Sequence, residues 1–206
     1  MILTSTIGIS LTDFIDFAMM SGSKKLTKVK QIKNRGDYGY EKDYYAPLRE
    51  SIQRMHRQGE HKKSLEDILT DELHESKRKN YPDMIRGYQK FLGRKNTDWQ
   101  KPPRAVWQHE ELAVKLNPEL YLLVDDEPTV IKMHFRKDEQ LSKDKICSII
   151  HLMENEMAKL VDNQAIFGVL DVKRGKLFTD DKRKNNLMPL IEAEAKSFIS
   201  LYQQSL

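Results

Sequence analysis

The hydrophobic pattern changes period along residues 112–170, and this change constrains the fold more than any other feature of the chain. Three short segments in quick succession, at 112–116, 119–124 and 129–137, have the pattern of strands and predict a meander. A stretch that opens at Ser142 then repeats apolar residues at intervals of three and four, which predicts a long helix covering one face of the sheet. The continuous apolar run at 165–170 predicts a further, buried strand.

The first half of the chain is dominated by helical spacing. Apolar residues recur at helical intervals after the N-cap residue Ser10 and again in the stretch that ends at residue 92. Pro82 is predicted to open the last helix of this stretch. The proline-bearing segment 96–104 predicts a connector. We therefore predict an α+β protein with a helical N-terminal region over 1–95 and a mixed core with a C-terminal helix over 96–206. An alternative is one compact unit in which residues 80–95 form the leading core helix.

Composition narrows the class of protein. A chain of 206 residues, 39% hydrophobic and 32% charged, is long enough to bury one substantial core. It has no apolar run of the roughly 18 residues that suggest a membrane-spanning helix, and its first residues do not resemble a secretory signal. We therefore expect a cytoplasmic protein without a membrane partner. The single cysteine, Cys147, excludes an internal disulfide framework and zinc sites built on paired cysteines.

The positions of the basic residues say more about function than the net charge of +4 does. They recur at alternate positions of the third predicted strand and at intervals of four on the predicted helix before residue 95. The strand set is Lys132, His134 and Arg136, and the helix set is Arg86, Lys90 and Arg94. Either set is explained by an ordinary solvent-facing surface. The functional alternative is a basic surface that contacts the phosphates of a nucleic acid.

The predicted order of elements, helix, three strands, helix, strand, suggests a known architecture once two acidic positions are added. Pro118 and Glu119 stand at the start of the second strand, and Asp171 and Lys173 follow the buried strand as acid-x-lysine. This αβββαβ arrangement resembles the restriction-endonuclease-like core of the PD-(D/E)XK nuclease superfamily. In that family two carboxylates hold Mg²⁺ and a lysine assists the attacking water, because hard cations require clustered oxygen ligands.

The resemblance departs from the family pattern at its second acid. The hairpin register places Lys132-Met133-His134 there, and a lysine does not bind Mg²⁺. The resemblance therefore implies a migrated site with Glu119 and Asp171 as catalytic residues and metal ligands, and with Lys173 or Lys132 on the phosphate. The plain alternative is that Glu119 simply starts a strand and that Asp171 and Lys173 occupy the end of a hairpin.

These patterns predict a protein that engages nucleic acid, DNA or RNA, through a nuclease-like core. One form of the prediction is a diverged nuclease that hydrolyses phosphodiesters with Mg²⁺ or Mn²⁺. The other is a catalytically inactive relative that needs no cofactor and keeps the basic surface. A prediction of another class is a protein-interaction subunit that binds its partner through the N-terminal helices. Phosphate-binding loops, dinucleotide-binding turns, serine-hydrolase elbows and zinc-protease helices have no matching motif.

Overall fold

The computed structural model describes residues 6–35, 43–136, 141–179 and 186–205. The α-helices are α1 (Leu11–Ala18), α2 (Ser23–Lys33), α3 (Ala46–Gln58), α4 (Glu75–Leu92), α5 (Lys143–Met157) and α6 (Met188–Gln204), with short 3-10 helices at Lys62–Ile68 and Ala158–Leu160. The strands are β1 (Ile7–Ser10), β2 (Thr97–Gln100), β3 (Ala105–His109), β4 (Leu112–Leu116), β5 (Leu120–Val124), β6 (Glu127–His134), β7 (Ile166–Asp171) and β8 (Lys176–Thr179). None of the helices in these ranges combines the length and apolarity needed to cross a membrane.

The strands form two mixed sheets, which confirms the α+β class. Sheet 1 has the order β1-β4-β3, with β1 parallel and β3 antiparallel to the central strand. Sheet 2 has the order β2-β5-β6-β7-β8. Its neighbours are antiparallel except for β6 and β7, which run parallel and are joined through α5. The helix between two parallel strands is the usual crossover connection.

The predicted meander is wrong in its first strand. Residues 112–116 form β4 at the centre of sheet 1, whereas the antiparallel neighbour of β5 in sheet 2 is β2, with Thr97 opposite Val124. Strand β2 lies inside the segment that was predicted to be a connector. Its four residues precede Pro102 and Pro103, so the prolines follow the strand and do not interrupt its hydrogen bonds.

Strand β1 was not predicted, because four residues are too few to show an alternation. It lies in the region predicted to be helical and pairs in parallel with β4, with Ile7 opposite Leu112. Its last residue, Ser10, is also the N-cap of α1, as predicted, since its hydroxyl accepts a hydrogen bond from the Asp13 N–H at 3.1 Å.

Hydrophobic side chains form two clusters, one on each face of sheet 2. The first cluster includes residues of α1, α5, α6 and sheet 1, and the second includes residues of α3 and α4. Neighbouring residues of β6 point to opposite faces, so Val130 belongs to the first cluster and Ile131 to the second. Phe14 in the first cluster and Tyr88 in the second are both buried, so the predicted regions 1–95 and 96–206 fold against each other.

Helix α4 carries the basic residues Arg86 and Lys90. It begins earlier than predicted, at Glu75, because the His74 ring accepts a hydrogen bond from the Ser76 N–H at 3.3 Å, and Pro82 therefore lies inside the helix. The helix ends at Leu92, where Gly93 takes φ +52°. Arg94 consequently lies beyond the helix and outside the predicted helical spacing.

Candidate functional site

Glu119 lies immediately before β5 and is buried, with 7% of its surface exposed. One carboxylate oxygen accepts a hydrogen bond from the Lys132 ammonium at 2.5 Å, and the other accepts one from the Met133 N–H at 2.7 Å. Lys132 also donates to the Asn117 carbonyl at 3.3 Å. The hairpin thus pairs Glu119 with Lys132 in the register expected from the sequence, and both carboxylate oxygens are engaged.

Asp171 ends β7 and is 2% exposed. Its carboxylate accepts hydrogen bonds from the Arg174 guanidinium at 2.6 Å and from the Arg174 N–H at 3.1 Å. Its carbonyl accepts another from the Gly175 N–H at 2.8 Å. Asp171 therefore holds the turn between β7 and β8 in shape, as short polar side chains do at turns.

The two acids predicted as metal ligands flank β6. Lys132 is paired with Glu119, and His134 is the register partner of Asp171, so two strand spacings and a two-residue offset, about 12 Å in all, separate the backbones of the acids. Each carboxylate has its own cation, whereas Mg²⁺ and Mn²⁺ require clustered oxygen ligands. In the described ranges no three His, Cys, Asp or Glu side chains are grouped to hold a metal ion. This donor set does not fit the predicted metal.

The basic residues of β6 are not the solvent-facing stripe that the alternation suggested. The Lys132 side chain is 15% exposed and His134 is 8% exposed, and both lie on the face that carries the first cluster. Arg136 is 46% exposed and forms an ion pair with the buried Asp16. Because β6 lies in the middle of sheet 2 with both faces covered, Lys132 and His134 are buried, and Lys132 is matched by an internal acid. Arg136 follows β6 and is half exposed while it pairs with Asp16.

A second set of ion pairs joins α1 to its neighbours. Asp13 accepts hydrogen bonds from Lys28 at 2.8 Å and from Arg35 at 2.8 and 2.9 Å, and Asp16 accepts one from Lys145 at 2.7 Å. Burial alone raises the pKa of Asp13, but the hydrogen bonds from Arg35 and Lys28 outweigh burial and hold it at about 2. Part of the basic segment around α2 is therefore used inside the protein.

The basic residues on α4 meet the turn between β7 and β8 in a groove of about 460 Å³. We name this the α4 groove; it is lined by Asp83, Arg86, Gly87, Lys90, Lys173 and Arg174. Arg86 is paired with Asp83, whereas Lys90 and Lys173 form no ion pair within the described part of the chain. Arg174 is paired with Asp171, so Lys90 and Lys173 are the two lining cations without an acid of their own in the described residues, and they give the groove an excess of positive charge suited to an anion.

The α4 groove exists because a helix touches a turn backbone to backbone. A methyl group on Gly87 would lie 2.1 Å from the Val172 carbonyl oxygen and 2.3 Å from that of Lys173. Gly175 approaches the same helix and takes φ +64°, a conformation that favours glycine. The backbones approach this closely because both positions, Gly87 and Gly175, lack a side chain. The contact places Arg86 and Lys90 beside Lys173.

A second cleft of about 410 Å³ lies where α3 and α4 end, and we name it the C-terminal cleft. Arg94 lines it and is exposed, and His56 forms part of its wall. The His56 ring lies 2.6 Å from the Tyr88 hydroxyl and 3.3 Å from the Thr97 hydroxyl. Burial lowers the pKa of His56 to about 4, so the ring is neutral at pH 7.

The structure therefore divides the predicted site residues into two groups. Glu119, Lys132, His134 and Asp171 are buried or nearly buried, and Arg136 pairs with a buried acid, whereas Arg86, Lys90, Arg94 and Lys173 line surface clefts. Arg174 was not predicted; the signal for it was a basic turn ending in Gly175, together with a glycine in the middle of a helix. No protein-family model matches the chain, and comparison with curated proteins finds no significant similarity.

Proposed function

We propose that this protein binds nucleic acid through the α4 groove, on a core related to the restriction-endonuclease-like fold, without catalysing hydrolysis. The observation that carries the proposal is the meeting of Lys90 and Lys173, which form no ion pair in the described residues, beside the paired Arg86 and Arg174 around one groove. Cationic side chains arranged in this way bind phosphate oxygens largely by charge and release counterions when they do so.

The pairing of sheet 2 supports the proposed relationship. Helix α4 is followed by β2, β5 and β6 as antiparallel neighbours, then by α5, and then by β7 parallel to β6. This is the αβββαβ order, with β3 and β4 inserted after the first strand and paired into the separate sheet 1. In this order β2 takes the place that the sequence pattern predicts for residues 112–116.

The inactive form of the proposal is supported by the charges at the family's site. Glu119 is matched by Lys132 and Asp171 by Arg174, and each pair includes a nearly buried carboxylate. A cation held covalently by the chain already balances each acid, so the arrangement supplies no oxygen cluster for Mg²⁺ or Mn²⁺. The alternative, a diverged nuclease that uses these acids, requires both pairs to open.

One experiment tests binding and hydrolysis together. Polarisation of labelled DNA and RNA oligonucleotides is measured over a series of KCl concentrations for the wild type and for Lys90→Gln/Lys173→Gln. Each lost phosphate contact lowers the slope of log K against log[salt] by about 1, so we expect a slope smaller by about 2. The matched control is Lys115→Gln/Lys196→Gln, which removes the same charge from exposed positions on β4 and α6.

The same samples are incubated with Mg²⁺ and Mn²⁺ and assayed for cleavage. We expect none. Cleavage that disappears in both Glu119→Gln and Asp171→Asn would support the nuclease alternative, and association with a protein that is insensitive to salt, without nucleic-acid binding, would support the protein-interaction alternative. The structure favours this last reading less, since α1 buries Leu11, Phe14, Ile15 and Phe17 in the core.

A further inference from the structure

The exposed face of α4 runs between two flanking elements. On one side the turn between β7 and β8 contacts Gly87. On the other side the 3-10 helix Lys62–Ile68 docks on Gln89, whose amide donates to the Lys62 carbonyl at 3.2 Å and to the Glu66 carboxylate at 3.0 Å. Arg86 and Lys90 lie on the exposed strip between these flanks.

This strip connects the two clefts. It begins in the α4 groove at Arg86 and reaches the helix end at Leu92, where the C-terminal cleft opens. Six residues at 1.5 Å each make this distance about 9 Å. Arg94 then adds an exposed cation just past the helix end.

The C-terminal cleft differs from the groove in how its cations are used. The Lys62 ammonium donates to the Gly93 carbonyl, and the Lys95 ammonium donates to the Phe91 carbonyl at 2.5 Å. These two lysines satisfy carbonyls at the end of α4. Arg94 forms no ion pair within the described residues, so it is the cation available to an external anion, and Glu60 is the acid that opposes it in the cleft.

We propose that the two clefts form one cationic track and that its ligand is the backbone of a nucleic-acid polymer several nucleotides long, not a mononucleotide. The inference rests on the proposed function and extends it. A nucleic-acid strand winds around its axis, so its neighbouring phosphates lie about 7 Å apart, roughly twice the 3.4 Å axial rise per nucleotide, and the 9 Å strip alone spans about two phosphates. A mononucleotide carries all its phosphates at one end, over a length shorter than the strip, so it cannot place phosphates on the groove and Arg94 together.

The test uses Arg94→Gln, with Arg94→Lys as the matched control that keeps the charge. In both variants the folded state is checked by thermal unfolding. For a labelled oligonucleotide of about sixteen nucleotides, Arg94→Gln is expected to lower the salt slope by about 1, and Arg94→Lys is expected to retain it. Arg86→Gln/Lys90→Gln is expected to lower the slope by about 2.

Chain length supplies a second readout. In wild-type protein, affinity for oligonucleotides of roughly two, four, eight and sixteen nucleotides is expected to rise steeply at the short end, since about three phosphates are needed to reach Arg94. For the two-nucleotide ligand, Arg94→Gln is expected to equal wild type. An unchanged salt slope in Arg94→Gln, beside a reduced slope in Arg86→Gln/Lys90→Gln, would confine binding to the groove and overturn the track alone. Failure of wild-type protein to bind any oligonucleotide would overturn the proposed function as well.

Discussion

The Lys132 ammonium and the Glu119 carboxylate form a nearly buried ion pair, 2.5 Å apart, across the hairpin of β5 and β6. Removing one member leaves the other charge without its partner, which costs far more than removing both. Lys132→Met is therefore expected to lower the free energy of unfolding by about 3 kcal/mol. Urea denaturation measures the change.

The double variant Lys132→Met/Glu119→Gln is the control for that prediction. It removes both charges, so we expect it to recover most of the stability lost in Lys132→Met. If the double variant is less stable than the single variant, the pair is not the source of the loss.

Addition of Mn²⁺ to wild-type protein is expected to leave the unfolding temperature unchanged, because Glu119 already has its cation.

Gly87 is the position where a single methyl group is expected to do most damage. The added carbon would lie 2.1 Å from a backbone oxygen, and backbone cannot rotate away as a flexible side chain can. Gly87→Ala is expected to cost at least about 3 kcal/mol of unfolding free energy and to weaken nucleic-acid binding by moving the turn away from α4. Gly8→Ala is the control, since a methyl group at Gly8 meets no atom within 4 Å. Equal stability of the two variants would contradict the contact.

The lowered pKa of His56 is expected to make the protein less stable in mild acid. The unfolded chain protonates near the ordinary pKa of 6.5, whereas the native ring stays neutral to about pH 4. Between these values the unfolded state binds more protons, so the contribution is fully present above pH 6.5 and falls by about 3 kcal/mol as pH drops to 4. Urea denaturation at several pH values measures the slope. In His56→Gln this part of the slope is expected to vanish, and its persistence would assign the effect to another group.

Asp13 predicts a separate loss in stronger acid. Its pKa is about 2 in the native state and 3.8 in the unfolded chain, so its contribution of about 2 kcal/mol is present above pH 4 and is lost as pH falls toward 2. Asp13→Asn is expected to be less stable than wild type by about that amount at pH 7 and to match it near pH 2. Asp98→Asn, at an exposed position of β2, is the control and is expected to show no difference at either pH.

Sequence periodicity located most of the helices and several strands of sheet 2, but it did not assign the strands to sheets. β4 and β5 follow each other within three residues and still belong to different sheets. An apolar strand pattern reports burial, whereas the choice of partner depends on contacts between distant segments. For the same reason β1, whose partner lies about a hundred residues away, had no local signal.

The candidate site was predictable in part. The basic residues that the sequence placed correctly differ from the others in what surrounds them in the fold. Arg86 and Lys90 were found from helical spacing and are exposed on α4. Lys132 and His134 had an equally regular spacing, but a second layer of helices covers their strand face. Alternation shows that two faces of a strand differ in chemistry; whether the polar face meets water or an internal acid depends on tertiary packing.

The parallel pairing of β1 with β4 forms late during synthesis of the chain. Residues 7–10 emerge from the ribosome long before residues 112–115, with which they pair. At roughly 5–20 residues per second, the first strand waits about 5–20 s for its partner. During that time its backbone donors and acceptors are exposed to water or to other chains. Sheet 1 is therefore completed late, after α3 and α4 have been synthesised. A shorter time between the synthesis of β1 and that of β4 should favour pairing of these strands over association between nascent chains.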